Sequence, residues 1–369
     1  MKSGTHKSKN TIRKYVVNIG IALFSILLCC IVAEGVIRIL KKDTMVLFPR
    51  YHTDAKYGEY RIRRLRPNSE FWHTSVDGSW KFTTNKQGYR SSHDFSSDKP
   101  PGVLRIIALG DSHTQGYEVR QDCTYSAIIE KYLSDRGYKA EVYNMGISGF
   151  STAEELVLLE NEAINYKPDY VILAFYANDF EDNVKAGLFE LNSGKLSVEG
   201  KEHLPGVRIQ NFIYSLPFTR FLGENSYFYG LLFNTTWDYY KKLSRSKSEK
   251  RLVTEYAIPT EELTEYKVQL ASRLIERMYS SCKKNNIKLI IFTIPIIHPE
   301  YIRSPLPEEM YQATLGNCDV FIESEKVLKD YNNLIELRRE HGIRHISEFT
   351  HCLLGVRIAK EIISKETGL

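Results

Sequence analysis

The sequence predicts an α/β protein with a parallel sheet in a three-layer α/β/α arrangement, preceded by one transmembrane helix and interrupted by a helical, aromatic-rich insertion. Three observations predict it. Short, nearly continuous apolar runs recur at Leu104–Leu109 (LRIIAL), Ala140–Asn144 (AEVYN) and Tyr170–Phe175 (YVILAF). Helix-spaced segments separate them at 125–133 and 151–166. Strands buried on both faces and joined by helices form parallel sheets. An uncharged run also stands near the start, at 15–33.

That run, YVVNIGIALFSILLCCIVA, has only Asn18 and Ser25 as polar interruptions. At about 1.5 Å per residue it just crosses a bilayer core of about 30 Å, and a helix is the one state in which a single segment satisfies its backbone in lipid. Lys2, Lys7, Lys9, Arg13 and Lys14 precede it, and Arg38, Lys41 and Lys42 follow. The bias predicts the N-terminus inside and the rest translocated, on a cytoplasmic membrane with an extracytoplasmic body. No A-x-A cleavage site follows the run, and the residue before Cys29 is Leu28, not a small one. An uncleaved anchor is therefore the expectation over a signal peptide or lipoprotein signal.

The predicted organisation is residues 1–42 as cytoplasmic tail and anchor, 43–103 as a polar lead-in without a long period, and 104–369 as the body. The insertion spans about 183–259 and carries Phe212, Tyr214, Phe218, Phe221 and Tyr227 among other aromatics. It reads as a cover over the site or as packing on the body. Beyond it come a helix at 260–285, a strand at 287–294, a helix at about 323–340, a short strand at 343–347 and a last helix at 355–364. The net charge of +5 is too small and too scattered for a nucleic-acid surface. Of six Cys, two lie in the anchor; the other four show no metal-like spacing and leave disulfides and free thiols equally open. No metal or cofactor is expected, because His and acidic residues do not cluster at ligand spacing and no phosphate-binding glycine motif follows the first strand.

Three polar turns follow the three strands: Gly110-Asp111-Ser112-His113-Thr114, Asn144-Met145-Gly146-Ile147-Ser148-Gly149 and Tyr176-Ala177-Asn178-Asp179. Each alone is an ordinary turn. Together they fall at the same ends of neighbouring parallel strands, where α/β folds place ligand chemistry. Ser112, Gly149 and Asn178 would share one pocket.

The stretches IIALGDSHTQGYEV, VYNMGISGFSTAEEL and PDYVILAFYANDF resemble the GDSL/SGNH hydrolase superfamily, in particular its membrane-anchored bacterial members. The resemblance is close over about 104–183. It implies a flavodoxin-like SGNH fold, Ser112 as nucleophile, and an oxyanion hole of the Ser112 N–H, the Gly149 N–H and Asn178. It also implies an Asp-x-x-His block ahead of the last helix. Here Glu348 and His351 have that spacing, with Glu for Asp and a shortened loop to Gly355. His351 is the expected base and Glu348 its orienter. His345 is the second candidate base, though its place within the predicted short strand favours a structural role; His113 is poorly placed beside the nucleophile, and His298, after a strand end, ranks last. The implied function is a serine esterase or acyltransferase acting on an acylated envelope glycan, small molecule or lipid. The alternative is a non-catalytic envelope binding or assembly protein with a degenerate His block.

Overall fold

The computed structural model describes residues 4–49, 51–247, 263–339 and 345–368. Its first element is α1 (Gly4–Lys41), of which residues 12–41 are long and apolar enough to cross a membrane, with their most apolar stretch exposed.

The lead-in is not irregular. It folds into two antiparallel hairpins, His52–Tyr57 with Tyr60–Leu65 and Glu70–Ser75 with Gly78–Thr83. In the second, Phe71, His73, Trp80 and Phe82 are buried while Trp72 and Lys81 face out, the period-two alternation of a half-buried strand. Val76 and Asp77 make the two-residue turn.

The body is built on β1 (Leu104–Leu109), β2 (Ala140–Asn144), β3 (Tyr170–Phe175), β4 (Lys288–Thr293) and β5 (Val320–Ile322). All neighbours are parallel, in the order β2-β1-β3-β4-β5. Alternate residues serve opposite layers. Ile107, Leu109, Val171, Leu173, Leu289 and Ile291 join one core, and Ile106, Ala108, Ile172, Ala174, Ile290 and Phe292 the other. The five helices that matter to the site's frame are α2 (Ser112–Gln115), α3 (Tyr125–Ser134), α4 (Thr152–Asn161), α5 (Asp179–Ala186) and, after the insertion, the long Glu265–Lys284 helix. The two hairpins pack on the same layer as α4, through Tyr57, Ile62, Leu65, Phe71 and Phe82.

The insertion opens with a strand pair, Phe189–Asn192 with Lys195–Val198, and becomes helical from Val207. Its helices are α6 (Val207–Ser215), α7 (Thr219–Asn225) and α8 (Tyr227–Lys247). Residues 248–262 of the predicted insertion and of the helix start lie outside the described residues. The long helix expected at 323–340 is a short one, Ser324–Leu328, and a 3-10 turn. The strand expected at 343–347 reduces, over its described residues 345–347, to one antiparallel bridge between Ile346 and Arg338. The last helix begins at Glu348, two turns before the expected Gly355, and runs to Thr367.

Acidic side chains crowd the first turns of the helices that surround the site. Asp111 caps α2, Glu154 and Glu155 open α4, and Asp179 and Asp182 open α5. Orphan N–H groups and the helix dipole favour carboxylates there. The Asp111 carboxylate accepts the His113 N–H at 2.8 Å, and that of Asp179 the Tyr176 N–H at 2.8 Å. Burial still dominates. It pushes the Asp111 carboxyl up to about 7 and, with the neighbouring acids, raises Glu155 and Asp179 well above the carboxylate range. Burial acts oppositely on His73, His345 and His351, each pushed down to about 3.

The two groups give opposite signs of linkage. A histidine depressed in the fold leaves the unfolded chain with more protons below about pH 6.5, so stability rises with pH up to that value. A carboxyl raised in the fold leaves the folded chain with more protons, so stability falls as pH rises from about 4 through its folded value. Above about pH 7 only the carboxyls still act. The melting temperature of the full chain in detergent should therefore fall as pH rises beyond the range in which the histidines titrate, and Glu155→Gln should flatten that limb. A limb unchanged by Glu155→Gln would refute the assignment to this cluster.

Candidate active site

Ser112 is the first residue of α2, at the carboxyl end of β1. The turn that delivers it needs glycine before it, because a Cβ at position 110 would run into the Thr114 hydroxyl and crowd Ala174. The Asp111 side chain caps α2, leaving the Ser112 N–H at a helix start with no acceptor among the described residues.

His345 Nε2 lies 2.7 Å from Ser112 Oγ. The ring is buried between Tyr117 and His113, with centroids at 4.6 and 4.7 Å. Its backbone is held by a short ladder: the Arg339 N–H donates to the His345 carbonyl, the Ser347 N–H to the Leu337 carbonyl, and the Thr350 hydroxyl to Leu337 as well. The ring's Nδ1 has no partner among the described residues. Three positions before it, where an orienting Asp would stand in an Asp-x-x-His block, the sequence has Gly342.

His351 is not brought to Ser112, which corrects the expected pairing. It sits in the first turn of the Glu348–Thr367 helix, where Nδ1 accepts the Tyr125 N–H at 3.1 Å and the ring stacks on Tyr125. It thereby satisfies an orphan donor of α3. Glu348, one turn earlier on the same helix, accepts from the Arg120 N–H at 2.8 Å and from its guanidinium. The physical reason is the early helix start. A Glu and a His three apart within one helix share a face, and this face meets the 120–125 segment. His113 faces His345 and accepts the Ile346 N–H at 3.5 Å through Nδ1. His298 lies on an exposed strand.

Gly149 is brought beside α2. The loop after β2 is sewn to it by the Ile147 N–H on the Gly110 carbonyl at 3.0 Å and the Ser148 N–H on Gln115 Oε1 at 2.7 Å. Gly149 has φ of 76°, and its N–H has no acceptor among the described residues. The guanidinium of Arg63, buried in the first lead-in hairpin, donates to the Gly149 carbonyl and occupies the space a Cβ would need. Asn178 opens α5 next to Asp111, with its amide donating to Asp182 at 3.0 Å. A cleft of about 720 Å³ adjoins the pair, lined by His113, Tyr176, Phe180, Ile294 and Ile346 among others.

The pair therefore has a hydroxyl, a neutral imidazole in contact with it, and two unspent N–H groups from the neighbouring turns, the elements of acyl transfer. His345 stands second to His351 as a candidate base in the sequence, and Arg63 was missed. Ser347-Glu348 is an N-cap signal that would have placed His351 inside the helix and His345 in the loop before it. Arg63 carries no comparable signal. Among the described residues no group of three or more His, Cys, Asp or Glu is arranged to hold a metal ion, and all six Cys are free thiols.

No curated protein matches the chain. Solved structures resemble it at low identity. They include a lipase/acylhydrolase from Enterococcus faecalis (18% identity, 71% of this chain and 96% of that one, TM-score 0.37). A psychrotrophic esterase from Pseudoalteromonas sp. is 12% identical over 71% of this chain and 98% of that one, with TM-score 0.39. A catalytic mutant of an acetylxylan esterase from Geobacillus stearothermophilus is 15% identical over 70% and 94%, with TM-score 0.38. The GDSL-like lipase/acylhydrolase family model matches residues 108–312, from inside β1 past β4, which is more than half of the sequence. The protein belongs to the GDSL-like lipase/acylhydrolase family.

Proposed function

We propose that this family member is a serine esterase working with a Ser112–His345 dyad. The observation that carries the reading is the 2.7 Å contact between His345 Nε2 and Ser112 Oγ. His345 takes the hydroxyl proton as Ser112 Oγ attacks the ester carbonyl. The tetrahedral oxyanion is held by the N–H groups of Ser112 and Gly149. The Asn178 amide is the third donor once it turns from Asp182. His345 then returns the proton to the leaving alcohol, and water, or an acceptor alcohol, releases the acyl group from Ser112. Burial pushes the His345 imidazole down to about 3, which keeps it in the neutral, proton-accepting form at pH 7 and at the same time weakens it as a base. Among the described residues its Nδ1 has no carboxylate partner, so ring packing against Tyr117 and His113 does the orienting.

The basic flank before the uncharged run 15–33 supports an N-terminus inside and a catalytic head outside the cytoplasmic membrane. A head so placed meets esters of envelope glycans and lipids, which are the proposed substrate class. The competing reading, a non-catalytic binding or assembly protein, requires a broken His block. The Ser112–His345 contact supports catalysis over it.

The test is hydrolysis of p-nitrophenyl acetate by the full-length protein in detergent. Ser112→Ala and His345→Ala should each lower turnover by at least about 10²-fold. His351→Asn keeps an acceptor for the Tyr125 N–H and should stay within about tenfold of wild type. Full activity in His345→Ala, with loss in His351→Asn, would return the base to His351. Wild type no faster than Ser112→Ala, on this and on acetylated glycan and lipid esters, would leave the binding reading. Protease added to intact spheroplasts should cleave the head; protection until lysis would reverse the proposed orientation.

A further inference from the structure

We infer that α6, α7 and the turn between them form a docking face for the outer surface of the bilayer that α1 crosses. This rests on the proposed membrane anchoring, and on a contact between the anchor and the insertion that anchoring alone does not require.

The anchor helix continues beyond its uncharged run. Residues 15–33 fill the bilayer core, which takes about 20 helical residues. Glu34 is thus the first charged group to emerge. Its carboxylate accepts from the Ser226 hydroxyl at 2.7 Å and from the N–H groups of Tyr227 at 3.1 Å and Phe228 at 2.9 Å. Those are orphan donors of α8, so a residue of the anchor caps a helix of the head. One turn on, Arg38 donates to the Asn225 carbonyl at 2.6 Å, pairs with Glu34 at 2.9 Å, and lies over the Tyr227 ring. The junction between α7 and α8 is therefore fastened to α1 where α1 leaves the hydrocarbon.

The apolar side chains next to this fastening face out. Phe221, one turn before Asn225, is 64% exposed, and Phe218, at the start of α7, is 78% exposed. Phe218 has φ of 63°, a conformation a bulky residue adopts only under constraint. Leu216 and Phe212 on the other side of the turn are 42% and 64% exposed. A seven-residue helix is about 10 Å long, so all of α7 lies within about 10 Å of the emergence point. Faces of this kind bury to a depth of about 5–10 Å in the boundary between headgroups and acyl chains. Exposed Lys41 and Lys42 end the anchor and suit anionic headgroups. An exposed apolar patch needs an occupant. The occupant is the bilayer, because the chain itself enters the membrane at this point.

The test is fluorescence quenching in the full-length protein, reconstituted in phosphatidylcholine–phosphatidylglycerol vesicles whose acyl chains are brominated. Phe24→Trp reports the anchor, Phe218→Trp and Phe221→Trp the docking face, and Leu315→Trp an exposed apolar position on the Glu308–Leu315 helix. The emission each variant adds over wild type is read. Quenching at 24, 218 and 221, with none at 315, is the expected result. Quenching at 24 alone overturns the docking face and leaves the anchor, and self-association of that sample would assign the patch to a second copy. Absence of quenching at 24 overturns the anchor, and with it this inference.

Discussion

Burial of both faces of a five-stranded parallel sheet is the constraint from which the rest follows. It forces every strand to be apolar throughout and every connection to cross over the sheet. All strand ends of one polarity then lie along one edge. Polar residues cannot enter the strands, so they collect in the turns just beyond them. Ser112, Gly149 and Asn178 come from three such turns, and the order β2-β1-β3 makes those turns neighbours. Side-chain and backbone links between Ser148, Ile147 and α2 then hold them in register.

What this constraint permitted reading from the sequence was the part that depends on local pattern. Apolar runs identified the strands, and strand ends identified the three turns. The parts that failed depend on where a helix begins and on contacts far apart in sequence. Glu348 and His351 have the spacing of an acid–base pair, but the same spacing is one turn of a helix. With the helix starting at Ser347, both residues face Arg120 and Tyr125, and the preceding loop presents His345. The lead-in hairpins were overlooked because an aromatic on each face blurs the alternation: Trp72 points out beside Phe71 and His73 pointing in. Arg63 was invisible in principle. Its partner is the carbonyl of Gly149, a backbone group 86 residues away that no residue type announces.

The site is also electrostatically costly. Four carboxyls, those of Asp111, Glu154, Glu155 and Asp179, and several imidazoles are buried around one serine. The carboxyls sit where helix N-termini supply donors, which reduces their cost without removing it. The imidazoles stay neutral because burial disfavours the cation, and a neutral imidazole is the form a general base requires. Low dielectric that penalises the acids is thus the same property that keeps His345 neutral and strengthens N–H donors toward an oxyanion.

The lead-in and the anchor are tied to this site by packing rather than by sequence proximity. Gly230 of α8 leaves room for Met45 and Leu47, the residues that follow α1. Phe48 meets Tyr117 edge-on at 6.2 Å, and Tyr117 lies against the His345 ring at 4.6 Å. Glu34 and Arg38 fasten α1 to the start of α8 at the other end of this series. Each contact is a close-packed one, and packed interiors yield little to deformation. The consequence is positional. A head joined to its anchor only by a flexible linker would present its cleft at any angle to the membrane. Under the proposed anchoring, a head whose insertion helix is capped by α1 itself is held at one angle, and the direction from which an ester would reach Ser112 is set where the chain leaves the bilayer.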